Sequence, residues 1–143
     1  MAKDPYKAGL FKSNPYAKKV PVDSRLTVVL DSKLDNRELK LMKAISRAVR
    51  KYDIHELIFT DETGANPGQK VDRVAYGGFV EILNGGVLVA GDKLYWNEQC
   101  IGEIAGFDET HMPNHLNIVI KSEKFISGLE LGFDTGMSIS FIK

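Results

Sequence analysis

Two of the chain's three histidines stand beside two acids in one short stretch, IGEIAGFDETHMPNHLNIVIK, from Ile101 to Lys121. Asp108, His111 and His115 could supply the three protein ligands of a catalytic divalent metal, leaving one position open for a water. Asp108 and Glu109 would then divide the roles of ligand and general base, and the chemistry would be hydrolysis. The same residues admit a plainer reading. A histidine beside an apolar strand is commonly satisfied by a backbone carbonyl, and Asn114 and Asn117 cap turns as readily as they orient an imidazole. Pro113 between the histidines excludes a helix, so their spacing alone does not align them. A second acidic pair, Asp61 and Glu62, lies in the turn-rich stretch DETGANPGQK. If both acidic turns ended strands at one edge, their carboxylates would perturb one another's pKa; apart, they are solvated turn acids.

These residues must be held by strands. LTVVL at Leu26 to Leu30 and ELIFT at Glu56 to Thr60 are rich in β-branched residues, and further short runs follow at Val74 to Leu83, Val87 to Ala90, Leu94 to Trp96, Ile101 to Ala105, Leu116 to Ile120 and Met137 to Ile142. Asn84-Gly85-Gly86 reads as a hairpin turn between two of them. Tyr95 and Trp96, adjacent on a strand, would point to opposite faces, one into the core and one outward as an oligomer contact or ligand platform. Asp35 and Glu38 have the spacing of a capping box, and Leu41, Met42, Ile45, Ala48, Val49 and Tyr52 recur at helical intervals, which predicts a helix ending near Tyr52. Its other face would carry Lys40, Lys43, Arg47, Arg50 and Lys51, either a solvated face or a basic ridge for an acidic partner. The expected fold is α+β and β-rich: a small barrel or sandwich of short, mostly antiparallel strands with one amphipathic helix near the N-terminus.

Composition narrows the classes. In 143 residues, 19 basic side chains balance 19 acidic ones, so net charge argues for neither nucleic acid nor an anionic membrane. A size of this order is one domain. We expect residues 1–24, with Lys3, Lys7, Lys12, Lys18 and Lys19 among prolines, to form a basic tail or arm, and 25–143 a single β-rich domain. The single cysteine, Cys100, excludes an internal disulfide and reads as a small buried hydrophobe. No apolar run reaches the roughly 18 residues of a membrane span, and no signal-peptide core is present near Met1, so a cytoplasmic location is expected. No nucleotide-binding glycine loop, no serine-hydrolase elbow and no Cys/His zinc module is found.

From about Leu57 onward, three pieces carry a likeness: LIFTDETGANPGQ at Leu57, GGVLVAGDKLYW at Gly85, and IGEIAGFDETHMPNHLNIVIK at Ile101, with SGLELGFDTGMSISF closing the chain. In this order they resemble the glucitol/sorbitol-specific IIA component of the bacterial phosphotransferase system, over residues 57–143. The third piece is similar to that family's Val-Gly-x-Val-Ala strand, with His115 on the histidine that opens its next strand. The resemblance implies a shared fold. It also implies a phosphoryl-accepting histidine before the glycine hairpin, a place that counts to Tyr76, Gly77 or Gly78 here, where no imidazole nitrogen exists to attack. The expectation is a binding or regulatory domain without phosphoryl transfer, needing no cofactor, its partner a protein or small molecule. The alternatives are the metal-dependent hydrolase on Asp108, His111 and His115, or an adaptor using the basic helix face.

Overall fold

Burial at every second residue begins at Val22, where Val22, Ser24 and Leu26 turn inward and Asp23 and Arg25 outward, so strand geometry follows from the side-chain alternation itself. The computed structural model describes residues 19–143; Lys3, Lys7, Lys12 and Lys18 of the expected arm lie outside the described residues. Its elements are β1 (Val22–Val29), β2 (Lys33–Leu34), β3 (Leu39–Lys40), β4 (Ser46–Val49), β5 (Ile54–Thr60), β6 (Lys70–Val71), β7 (Val74–Ile82), β8 (Gly86–Val89), β9 (Lys93–Trp96), β10 (Gln99–Asp108), β11 (Asn117–Lys121), α1 (Gly128–Leu131) and β12 (Ser138–Ile142). β1 starts inside the segment assigned to the arm, because Val22 is fully buried.

The order β1-β12-β9-β10-β11-β5-β7 returns to β1 through a β1–β7 pairing, which closes a barrel of seven strands. Closure leaves no long free edge for aggregation. Every neighbouring pair is antiparallel except β5 and β11. The β-rich small barrel read from sequence is thus the fold. Successive residues divide between two cores: Leu57, Phe59, Ile118 and Ile120 fill the interior, while Ile58 and Val119 face outward to a second core with Leu39, Leu41, Ala65 and Val71. Each such fully buried side chain contributes roughly 1.5–3 kcal/mol. Strands buried on both faces read as continuous apolar runs, as LIF and IVI do.

The helix expected over Asp35 to Tyr52 does not form. Leu39 and Leu41 are both buried with Lys40 exposed between them, a two-residue alternation that serves the outer core. Val49 goes to the inner core, whereas Tyr52 is 72% exposed. Glu38 takes φ 53°, outside the right-handed helical region, and Asp35 faces Arg73 instead of capping a backbone. The backbone donors are satisfied at a distance, Leu41 N–H by the Gln69 carbonyl and Met42 N–H by the Phe107 carbonyl. Among the described residues the one helix lies near the other end of the chain: Ser127 and Glu130 form the capping box of α1.

The basic ridge goes with the missing helix. Lys40 sits on β3, Lys43 in the following loop, Arg47 on β4, and Arg50 and Lys51 in the turn before β5, spread along an extended path rather than along one face. The Asn84-Gly85-Gly86 turn is also not a hairpin. β8 pairs with β4, and Asn84 ties the turn to the chain's start by accepting from Asp23 N–H and donating to the Pro21 carbonyl. The tight two-residue turn is Asn97-Glu98, both at positive φ, joining β9 to β10.

Candidate functional site

Because β5 and β11 run parallel, their first residues share one end of the barrel and their last residues the other. β10 runs opposite to β11, so Asp108 at its end stands beside Asn117 at the start of β11. The acidic turn at Asp61 follows the end of β5 and therefore lies at the far end from Asp108; the two turns do not face each other. Asp61 accepts a fork of bonds from Arg73 (3.0 and 3.2 Å), and Glu62 accepts the backbone N–H groups of Asp72 and Arg73.

At the Asp108 end, Glu56, Asn117 and Asp108 are cross-strand neighbours on the outer face, each under a tenth exposed. Asp108 accepts from Thr110 N–H (3.2 Å), Thr110 Oγ1 (2.9 Å) and Asn117 Nδ2 (2.9 Å). It is the anchor of the turn, and its oxygens are committed to it. His111 and His115 stack with ring centres 4.9 Å apart, and His115 Nε2 lies 3.3 Å from Glu56 Oε1, close enough for an ion pair but without hydrogen-bond alignment. Asn114 Nδ2 stands 3.0 Å from His115 Nδ1, which leaves the proton of a neutral ring on Nε2, toward Glu56. So Asn114 meets the imidazole while Asn117 holds the turn.

Burial governs the protonation of this group. It raises the Glu56 carboxyl above the usual range, opposed by His111 and Arg37, and it lowers His115. His55, in the interior beside Asp53, accepts Leu116 N–H on Nδ1 at 3.0 Å, so its own proton sits on Nε2, 3.5 Å from Asp53. Burial lowers its pKa, with Asp53 pulling the other way. The loop is clasped from outside by Arg47, whose Nη1 lies 2.7 Å from Glu109 Oε2. Arg47, expected on a partner-binding ridge, is thus an internal latch.

The structure does not draw the three expected metal ligands into one group. Asp108 turns to Thr110 and Asn117, while the histidines turn to each other and to Glu56; among the described residues no group of three or more His, Cys, Asp or Glu side chains is arranged to hold an ion. His55 and Glu56 were missed in the sequence because they lie at the opening of an apolar strand with no motif around them.

The opposite end is open. The last residues of β5, β9 and β11 and the first of β10 border a cleft of about 1010 Å³, at the upper end of the roughly 300–1,000 Å³ of small-molecule pockets. Phe59, Trp96, Ile101, Ile126 and Leu131 give it apolar walls; Lys93, Glu103, Lys121 and Lys124 supply charge. Trp96 is half-buried, its ring set edge-on to Phe133 at 5.3 Å and its Nε1 directed at Met137 Sδ. Tyr95 is half-buried as well, so the expected core-and-surface division is not sharp. Cys100, expected in the core, is exposed in this cleft, where β10 pairs with β9 alone because its pairing with β11 begins only at Glu103.

A family model matches residues 16–142, nearly the whole chain, and its description is "Family of unknown function (DUF6917)". The chain belongs to the DUF6917 family. No curated protein and no solved structure matches it. The matched span includes both ends of the barrel, so the histidine cluster and the cleft are both parts of the DUF6917 domain. No described helix is long and apolar enough to cross a membrane.

Proposed function

We propose that this DUF6917 domain is a non-catalytic, cytoplasmic binding protein that receives a small molecule in the cleft bordered by Phe59, Trp96 and Lys93, and that its likeness to the glucitol-specific IIA component is one of fold without phosphoryl transfer. The observation that carries the binding reading is the cleft itself: room for a ligand, aromatic and aliphatic walls for its body, and charged side chains in its lining for its orientation. Phe59, Trp96 and Ile101 of those walls stand on strands of the closed barrel, which lowers the ordering cost of binding there.

The loss of transfer has support in the backbone. A Cβ on Gly77 would come within 2.6 Å of the Phe59 ring and 3.1 Å of the Leu57 carbonyl oxygen. Gly78 stands at φ 155°, where a Cβ would collide with the Val28 carbonyl on the strand that closes the barrel. Tyr76, the remaining residue at that place, accepts a bond from Arg37 on its hydroxyl. An acceptor histidine at Gly77 or Gly78 would have to displace main chain.

Two measurements test the reading. A small-molecule panel should contain ligands that raise the melting temperature and shift Trp96 emission; stabilising ligands that leave Trp96 unchanged would place binding elsewhere. Incubation with the general phosphocarrier proteins and phosphoenolpyruvate should leave the chain unlabelled, and acid-labile phosphate on any histidine would end the claim of lost transfer.

A further inference from the structure

Charge accounting around the cleft singles out two lysines. Asp61 is neutralised by the Arg73 fork. Glu103, which is Lys93's cross-strand neighbour, turns to Lys121 at 3.9 Å, and Lys121 also reaches Asn66 at 3.3 Å. Lys93 and Lys124, both in the lining, are left without a carboxylate partner among the described residues, one on β9 and the other in the loop after β11. Glu123 is the one unpaired acid of the lining and offsets only one of them. Trp96 and Phe59 line the same cleft as these two ammonium groups.

We propose that the cleft's ligand is an amphipathic organic anion, a carboxylate, sulfonate or phosphate ester on an apolar or aromatic body, with its acid group held by Lys93 and Lys124 and its body against Trp96. This rests on the cleft reading above and adds the ligand's chemical class. Lysine suits the task as a mobile point charge that follows an anionic group without demanding one geometry. Two unpaired ammonium groups in the lining also disfavour cations, which they repel.

Sequence arithmetic makes the site readable. Trp96 is the chain's one tryptophan and Cys100 its one cysteine, and both belong to the cleft. The full chain is titrated with 1-anilinonaphthalene-8-sulfonate and, in parallel, with uncharged N-phenyl-1-naphthylamine, reading energy transfer from Trp96 and protection of Cys100 from N-ethylmaleimide. The sulfonate should bind several-fold more tightly than the amine and protect Cys100. The double substitution Lys93→Gln/Lys124→Gln should weaken the sulfonate roughly fivefold, as two exposed charge contacts would, and leave the amine unchanged. The Lys93→Arg/Lys124→Arg chain should keep the preference and shows that charge, not folding, was lost. Equal affinity for both probes, indifferent to the double Gln change, overturns the anion inference and leaves the cleft reading standing. No energy transfer and no protection by either probe overturns both.

Discussion

The two ends of the barrel are built from the same strands to opposite purposes. At the start of β5 and β11, polar side chains turn on one another: Asp108 on Thr110 and Asn117, His115 on Glu56, His55 on Leu116 N–H, Arg47 on Glu109. At the finish of the same strands, Lys93, Lys124, Trp96 and Cys100 border open space. The crowded end looks like chemistry in the sequence and is largely a clasp; the sparse end has no motif and has the room. A cluster of reactive residue types is therefore a weaker sign of a site than side chains left with work to do.

The sharpest way to break that contrast is Asp108→Ala. It removes three hydrogen bonds and leaves buried Asn117 without a partner, so stability to urea should fall by about 3 kcal/mol. A loss as small as that of a surface change would deny the clasp. Acid is the next probe. His55 and His115 have folded pKa values below the ordinary 6.5, so the unfolded chain takes up protons more readily. The stability they confer is complete above about pH 6.5 and is lost as pH falls toward their folded values. Glu56 has the opposite sign: raised above 4.5, it favours the fold most below that pH and least once ionised, so Glu56→Gln should gain stability at pH 7 relative to pH 4. Urea midpoints across pH 4 to 8 decide both, and a flat wild-type profile between pH 7 and 5.5 would contradict the histidine assignment.

Arg47→Gln opens the outer latch and should cost roughly 0.5–1 kcal/mol, whereas Lys40→Gln, on the same expected ridge, should cost less, as exposed charges do. Hydrogen exchange of residues 109–115 should rise in the first variant only. Smallest of all, Lys93→Gln/Lys124→Gln should change stability by less than about 0.5 kcal/mol, since both side chains are exposed and have no carboxylate partner among the described residues.

The strands were legible because their cause is local. ELIFT, LNIVIK and MSISFI carry their β-branched and aromatic residues in the chain itself, and the observed β5, β11 and β12 fall on them. The stretch from Asp35 to Tyr52 misled because three- and four-residue spacings of apolar residues can satisfy two separate cores as well as one helix stripe. Leu39 and Leu41 went to the outer core and Val49 to the inner one, a division that only the barrel creates. Cys100 misled for a related reason: its exposure follows from β11 ending opposite Glu103, which leaves the start of β10 paired on one side only.

What the sequence determined by itself was the class of fold, through alternation, turn residues and a balance of charge that left no single partner class favoured. What tertiary structure decided was which polar residues would be free. Strand direction placed Asp61 and Asp108 at opposite ends, register set Glu56 beside Asn117, and barrel closure shut Gly78 against Val28 while a cleft stayed open beside Trp96. Pairing between residues sixty or more apart has no local signature, because it is a property of the closed sheet and not of any segment within it.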